Sequence, residues 1–137
     1  MKFGLNTVLW VYPFSSKRLD LLKKVKDIGY DTVEIGVTDW SDKNVKSINN
    51  SLKENNLNCV VCGIPGPDES IISPDKSVQK KGVEFIKGLI DLCNKFNSKM
   101  LVGPTYSVGR YPELIKPDKR KKAWESCVKN LKVIGKY

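Results

Sequence analysis

The chain has 137 residues, 28% of them charged and 40% hydrophobic, which suits one ordinary globular domain and excludes a disordered chain. It contains no histidine, which excludes catalytic triads, histidine general bases and histidine-containing metal sites within these residues. No apolar run approaches the roughly 20 residues needed to cross a bilayer, and residues 1–5 lack the apolar core of a signal peptide. We therefore expect a cytoplasmic protein with no membrane partner.

The net charge of +9 arises from 24 Lys and Arg against 15 Asp and Glu. Lysines recur on each predicted helix, mostly opposite its apolar positions, and the densest run, residues 116–122, opens the last helix. This distribution favours solvated helix faces, and no nucleic-acid-binding motif accompanies it. A basic nucleic-acid-binding module is kept as the least favoured alternative.

The first predicted unit is a strand over residues 2–9, an aromatic loop over residues 10–14 and a helix. The serine pair at 15–16 caps this helix, and Gly29 ends it in a left-handed conformation. Apolar residues at three- and four-residue spacing predict its buried stripe, namely Leu19, Leu22, Val25 and Ile28.

The second unit begins with a strand over residues 32–36, and the third with a strand over residues 57–62. Ser41 or Asp42 caps the helix between them, which ends at the asparagine pair 55–56. Its predicted buried face consists of Val45, Ile48 and Leu52. A loop rich in Pro and Gly, residues 63–68, follows the third strand.

The third helix starts at Ser73, Pro74 and Asp75, which supply a capping hydroxyl, a first-turn proline and an acid near the positive helix end. A short buried strand over residues 100–102 and a polar loop come next. The fourth helix starts at residue 117, and its pattern continues to residue 137 with no strand after it. Its predicted inward residues are Trp124, Cys127, Val128, Leu131 and Ile134.

Four strands that alternate with helices require a parallel sheet with right-handed crossovers. The loops at the carboxyl ends of the strands are long, whereas those from helix to strand are minimal, which is typical of a TIM barrel. No G-x-G-x-x-G follows the first strand, which disfavours dinucleotide binding. We therefore predict an α/β fold, the (βα)4 half of a TIM barrel, with residues 1–137 as a single half-barrel. Because half a barrel has open edges, we expect either a part of a longer chain or a homo-oligomer.

Cys59 and Cys62 match the C-x-x-C spacing, but strand alternation places them on opposite faces. There is no second such motif and no histidine to complete a zinc site. We interpret both as structural cysteines, with a redox or metal role as the alternative.

The whole chain resembles the N-terminal half of the D-tagatose and D-psicose (allulose) 3-epimerases, which are xylose-isomerase-like TIM barrels. The residues that carry the resemblance are Gly29-Tyr30-Asp31 with Val33-Glu34-Ile35, then Ser73-Pro74-Asp75-Lys76-Ser77-Val78, Leu89-Ile90-Asp91-Leu92-Cys93 and Gly103-Pro104-Thr105-Tyr106. The opening Met1-Lys2-x-Gly4 with Trp10 also looks like the family's first strand.

The resemblance implies a sugar isomerase or ketose 3-epimerase with a divalent metal (Mn, Co or Mg) held by two glutamates, an aspartate and a histidine. In that family the two glutamates move the proton at C3 through an enediolate, chemistry that a metal assists by stabilising the oxyanion. Matched by order, all these ligands belong to the later strands, so no catalytic residue is expected here. We expect this chain alone to be inactive.

What the resemblance assigns to this half is one wall of the site for a ketose or related sugar. The matching positions are Asn6, Trp10, Phe14, Cys62, Gly63, Pro104 and Tyr106. The sequence departs from the family at three places: at Asn6, at Gly63 or Ile64, and at Gly109. At the position of Gly109 an aromatic is common in the family. We interpret Glu34 as a residue that orders neighbouring polar groups. A self-associating, non-catalytic half-barrel is the main alternative function.

Overall fold

The computed structural model describes residues 1–106 and 117–137. Within these ranges four strands alternate with four helices along the chain. They are β1 (Gly4–Asn6), α1 (Asp20–Ile28), β2 (Thr32–Ile35), α2 (Asp42–Glu54), β3 (Asn58–Cys62), α3 (Lys76–Lys95), β4 (Leu101–Val102) and α4 (Pro117–Ile134). The strands form one parallel sheet in the order β1-β2-β3-β4. The predicted α/β class with four βα units is therefore confirmed.

The chain divides into two compact units, which are described separately. The first unit comprises Met1–Cys62 and Asp91–Val102, and it holds the whole sheet with α1, α2 and the end of α3. The second comprises Gly63–Ile90 and the described part of Gly103–Tyr137, with the rest of α3 and α4. No helix in the described parts of the chain has the combined length and hydrophobicity that a membrane crossing requires.

The two faces of the sheet differ in polarity and in burial. Val33, Ile35 and Val61 point to one face and have no exposed surface. The opposite face carries residues that keep some exposure and are mostly polar: Asn6, Thr32, Glu34, Asn58 and Val60. Because side chains alternate along each strand and the strands are in register, these five residues form one continuous surface.

The first strand is shorter than predicted because side-chain and main-chain hydrogen bonds turn the chain after Asn6. The Asn6 side-chain oxygen accepts a hydrogen bond from the Val8 N–H at 2.8 Å. The Thr7 carbonyl accepts from the N–H groups of Trp10 and Val11, each at 2.8 Å. This 3-10 turn replaces the last residues of the expected strand and leaves Leu9 exposed.

Helix α2 buries its predicted face, whereas the buried face of α1 differs in part from the prediction. Val45, Ile48 and Leu52 of α2 are buried, as predicted. In α1 the buried residues are Leu21, Leu22 and Val25, whereas Ile28 is 54% exposed. A separate 3-10 turn at Ser16–Arg18 precedes α1, so the helix starts at Asp20 and turns Leu21 inward. Gly29 ends it with φ of 104°, as predicted.

The prediction for the inward face of α4 is wrong at two positions. Trp124 is 70% exposed and Leu131 is 45% exposed. The face that turns inward keeps the predicted Ile134 but carries two polar residues at four-residue spacing before it, Ser126 and Asn130. The Asn130 amide donates to the Ile71 carbonyl at 2.7 Å, and the Gln79 amide approaches the Ser126 hydroxyl at 3.4 Å. These hydrogen bonds orient the helix around polar groups rather than around its aromatic residue.

Candidate functional site

A polar cluster lies at the carboxyl ends of β1, β2 and β3 in the first unit. Asn6 ends β1, and the sheet register places it directly beside Glu34 of β2. The Asn6 amide nitrogen donates to a Glu34 carboxylate oxygen at 2.6 Å. The Cys62 thiol at the end of β3 hydrogen-bonds the same carboxylate. We call Asn6, Glu34 and Cys62 the strand-end cluster.

The cluster is held in place by main-chain groups behind it. Asn6 accepts from the Val8 N–H with its oxygen while it donates to Glu34 with its nitrogen, so both ends of the amide are fixed. Thr7 is fully buried, and its hydroxyl donates to the Glu34 carbonyl at 3.1 Å. Two neighbouring strand ends are thus joined by side-chain hydrogen bonds as well as by the sheet ladder, which limits the movement of the carboxylate.

Burial and the carboxylate together keep the Cys62 thiol protonated. Burial raises the pKa of Cys62 to about 11, and the hydrogen bond to Glu34 adds to this effect, with Asn6 opposing it. A nucleophilic role requires a thiolate, so Cys62 is a neutral donor at physiological pH. Glu34 is partly exposed and keeps acceptor capacity beyond these two bonds, which suits hydroxyl groups of a ligand.

Trp10 and Phe14 flank the cluster in sequence but differ in exposure. Trp10 is partly exposed, and the Lys24 ammonium lies 4.6 Å from its ring centroid, a cation-π distance. Phe14 has no exposed surface, and its N–H donates to the Gly36 carbonyl at 2.8 Å. Phe14 therefore supports the loop after β1 from within, and Trp10 offers an accessible aromatic surface.

The other three predicted site residues lie in the second unit. A Cβ atom on Gly103 would overlap the Gly63 carbonyl oxygen, so the segments after β3 and β4 approach each other closely there. Gly103 has φ of 113°, which also favours glycine. The Thr105 N–H then bonds the Gly103 carbonyl at 2.8 Å around Pro104. Tyr106 is 51% exposed.

The structure brings Asn6 and Cys62 together in one unit and Gly63 beside Gly103 in the other. Three contributors were not among the predicted wall residues: Thr7, Glu34 and Gly103. The interpretation of Glu34 as an organiser of polar neighbours agrees with its bond to Asn6. The feature that indicates this role for Glu34 is a carboxylate in a short strand whose alternate residues are buried. Gly109 lies outside the described residues.

The described residues do not offer a donor set for a divalent metal. Nowhere within 1–106 and 117–137 do three His, Cys, Asp or Glu side chains group at metal-binding distance. Glu34 is the one carboxylate of the strand-end cluster, and its partners there are an amide and a protonated thiol. Divalent metals of the Mg and Mn type prefer several oxygen ligands. We therefore derive no step through a metal on this chain.

The comparisons with known proteins agree on one group. The family model described as "Xylose isomerase-like TIM barrel" matches residues 22–137. A D-psicose 3-epimerase of Ruminiclostridium cellulolyticum is 23% identical over 99% of this chain and 47% of its own length. One of Agrobacterium fabrum is 25% identical over 78% of this chain and 38% of its own length. The chain thus spans about half the length of the curated relatives it matches, or less.

Solved structures show the same fold. The D-psicose 3-epimerase with D-tagatose from Clostridium cellulolyticum H10 superposes with a TM-score of 0.84 at 23% identity, over 99% of this chain and 48% of that one. An L-ribulose 3-epimerase gives a TM-score of 0.73 at 21% identity, over 98% and 48%. The predicted (βα)4 half of a TIM barrel is confirmed by these matches.

Proposed function

Because this chain belongs to the xylose isomerase-like TIM barrel family, we propose that it supplies the N-terminal half of a sugar epimerase or isomerase barrel, with the strand-end cluster as one polar wall of the sugar site. The observation that carries the proposal is the 2.6 Å bond from Asn6 to Glu34 at the carboxyl ends of adjacent parallel strands. In barrel enzymes the carboxyl ends of the strands form the active face.

The chemistry of the cluster suits a polyhydroxy ligand. Glu34 accepts hydrogen bonds from sugar hydroxyls, and its position is fixed by Asn6 and Thr7. Trp10 offers an aromatic face of the kind that packs against the C–H groups of a sugar. The resemblance separately predicts sugar contacts at Gly63, Pro104 and Tyr106 of the second unit. The curated relatives are D-psicose 3-epimerases, so the substrate class proposed here is a ketose.

In this proposal the chain binds sugar weakly and does not turn it over by itself. Proton transfer at C3 needs an acid and a base on opposite faces of the carbon, together with a metal that stabilises the oxyanion. The strand-end cluster contains one carboxylate and no metal site. In the full enzyme the remaining groups come from the second half of the barrel.

Sugar binding is tested by titrating D-psicose into the purified chain and following the Trp10 indole signal by NMR. We expect saturable shifts in the millimolar range, lost in Glu34→Gln. The control is Glu54→Gln, an exposed change in the last turn of α2. Equal shifts in both variants, or no shift in the parent chain, would refute the assignment of this wall. Turnover of D-psicose by this chain with Mn²⁺ would refute the proposal that catalysis needs the second half of the barrel.

The second candidate function is self-association through the sheet. β1 and β4 are the edge strands of the described sheet, and one sheet face keeps exposed polar residues. Unpaired edges favour pairing with another chain. Sedimentation velocity over a hundredfold range of concentration distinguishes this candidate, because a dimer dissociates on dilution. If the chain is a monomer at every concentration, self-association is refuted.

A further inference from the structure

A second concave site lies in the first unit, at the amino ends of the strands, opposite the strand-end cluster along the sheet. It has a volume of about 580 Å³, within the usual range of small-ligand pockets. Its walls include the first residues of β2 and β3, Thr32 and Asn58, and the last turns of α2 and α3, with Lys53 and Lys95. Because it and the strand-end cluster lie at opposite ends of the strands, ligands at the two are separable.

All the charged side chains that line this cavity are positive. Lys2, Lys53, Lys95 and Lys99 line it, and no Asp or Glu is among its lining residues. Lys95 pairs with Asp42, which is not a lining residue, at 3.0 Å. Within the described parts of the chain no ion pair joins the other three lysines to a carboxylate. They are therefore free to bind an anion.

Hydrogen bonds to main-chain carbonyls fix the mouth of the cavity. The Asn49 side-chain amide, also in the lining, donates to the Lys95 carbonyl at 2.7 Å and links the middle of α2 to the end of α3. Residue 97 adopts φ of 50°, which ends α3 in a sharp turn toward Lys99. The N–H groups of Asp31 and Thr32 bond the Phe3 carbonyl next to Lys2, at 3.0 and 3.2 Å. Lys2, Lys95 and Lys99 thus all extend from anchored backbone.

The same cavity also has an apolar part. Leu52, Leu57, Val60, Phe96 and Met100 contribute to its lining, and Met100 is 57% exposed. An inorganic anion would use only the lysines, through charge attraction. A ligand with an anionic group and a planar apolar group would use both parts.

We propose that this cavity is a binding site for a small phosphomonoester that carries a planar apolar group, the class to which nucleoside monophosphates belong. The phosphate lies among Lys2, Lys53 and Lys99, and the planar group lies against Val60 and Met100, which keep exposed surface. The site is independent of sugar binding at the strand-end cluster, so its failure and that of the proposed function are measured separately.

Isothermal titration with adenosine 5′-monophosphate at low salt tests the site, with inorganic phosphate and adenosine as the two fragments. We expect one saturable site whose affinity exceeds that of either fragment at least tenfold. The double variant Lys53→Glu with Lys99→Glu should lower the affinity at least tenfold. The control, Lys46→Glu with Lys129→Glu, makes the same change in net charge at exposed positions outside the cavity and should alter it less than twofold.

Three results would overturn the proposal. Binding without saturation, or an equal loss in the control variant, would show attraction to the net positive charge alone. If inorganic phosphate bound as tightly as adenosine 5′-monophosphate, the apolar part of the cavity would contribute nothing to binding. If thermal unfolding shows that the double variant is not folded, Lys99→Gln alone should weaken binding about threefold, and an unchanged affinity would count against the site.

Discussion

At the scale of single residues, the amide of Asn6 is the group on which the strand-end cluster depends. It satisfies the Val8 N–H and donates to Glu34, two roles that need an acceptor and a donor in one side chain. Aspartate has the same shape but only acceptors, so it places a second negative charge where the donor was.

Asn6→Asp should therefore destabilise the first unit at pH 7, by roughly 1–3 kcal/mol. The cause is repulsion between two carboxylates and a lost donor, and urea unfolding measures the change. Asn50→Asp, at an exposed position of α2, is the matched control and should change the unfolding free energy by less than about 0.5 kcal/mol. A stability unchanged in Asn6→Asp would show that the bond to Glu34 is not formed in solution.

The buried thiols predict a loss of stability in alkali. Burial raises the pKa of Cys59 to about 12, and nearby Cys93 adds to the effect; burial with the Glu34 hydrogen bond raises that of Cys62 to about 11. Between the ordinary thiol pKa of 9.0 and these values, the unfolded chain loses protons that the folded chain keeps. The stabilisation is complete below pH 9 and declines above it, by up to about 1.4 kcal/mol per pH unit for each thiol.

The measurement is urea unfolding at pH 8 and pH 10.5 in the parent chain and in Cys59→Ala. The parent should lose more stability between the two pH values than the variant does, because the variant lacks one titrating thiol. All other groups are the same in both proteins and cancel in the comparison. Equal losses would mean that Cys59 is not protected in the folded chain.

At the scale of elements, α4 shows that a polar anchor outweighs an aromatic residue in orienting a helix. Asn130 is buried, bonds the Ile71 carbonyl at 2.7 Å and lies 3.3 Å from the Gln79 side-chain oxygen. Asn130→Ala should cost roughly 1–3 kcal/mol, because the Ile71 carbonyl loses its donor. Trp124→Ala should cost less than about 0.5 kcal/mol, although the sequence predicts Trp124 in the core.

Chemical denaturation of both variants, followed by far-ultraviolet circular dichroism, checks this order. If Trp124→Ala lowers the free energy of unfolding more than Asn130→Ala does, then Trp124 faces inward as the sequence predicts. The orientation of α4 described above would then be incorrect.

Gly103 sets the turn after β4. An alanine there needs φ of 113° and meets the Gly63 carbonyl, so Gly103→Ala should destabilise the second unit by about 1–3 kcal/mol. Pro104→Ala, at the adjacent exposed position, should have a much smaller effect. The comparison is made by thermal unfolding, and equal midpoints for the two variants would contradict the close approach of the two segments.

Sequence periodicity predicted the type and order of the eight strands and α-helices in the described residues, because apolar spacing and caps such as Gly29 are local signals. It also predicted the buried residues of α2. It could not predict the end of β1 at Asn6, which follows from a side-chain bond to Val8, or the inward turn of Asn130, whose partner is Ile71. In the site, Asn6 and Cys62 were named from resemblance, but their link through Glu34 depends on strand register, which one strand alone does not encode.

At the scale of the whole molecule, the central prediction is complementation. A separately expressed C-terminal half of a D-psicose 3-epimerase, mixed with this chain and Mn²⁺, should form a complex with ketose epimerase activity that neither part has alone. Glu34→Gln should lower the activity of that complex at least tenfold, and Glu54→Gln should leave it unchanged. Complex formation without activity would retain the fold but refute the proposed function.

The division of the chain into units has a further consequence for dissection. The first unit is discontinuous: its strand β4 and the last turn of α3 arrive only after Gly63–Ile90, which belong to the second unit. No single cut of the polypeptide therefore separates the two units from each other. During synthesis, the sheet cannot be completed until all of α3 has emerged from the ribosome, so the folding of one unit must wait for part of the other.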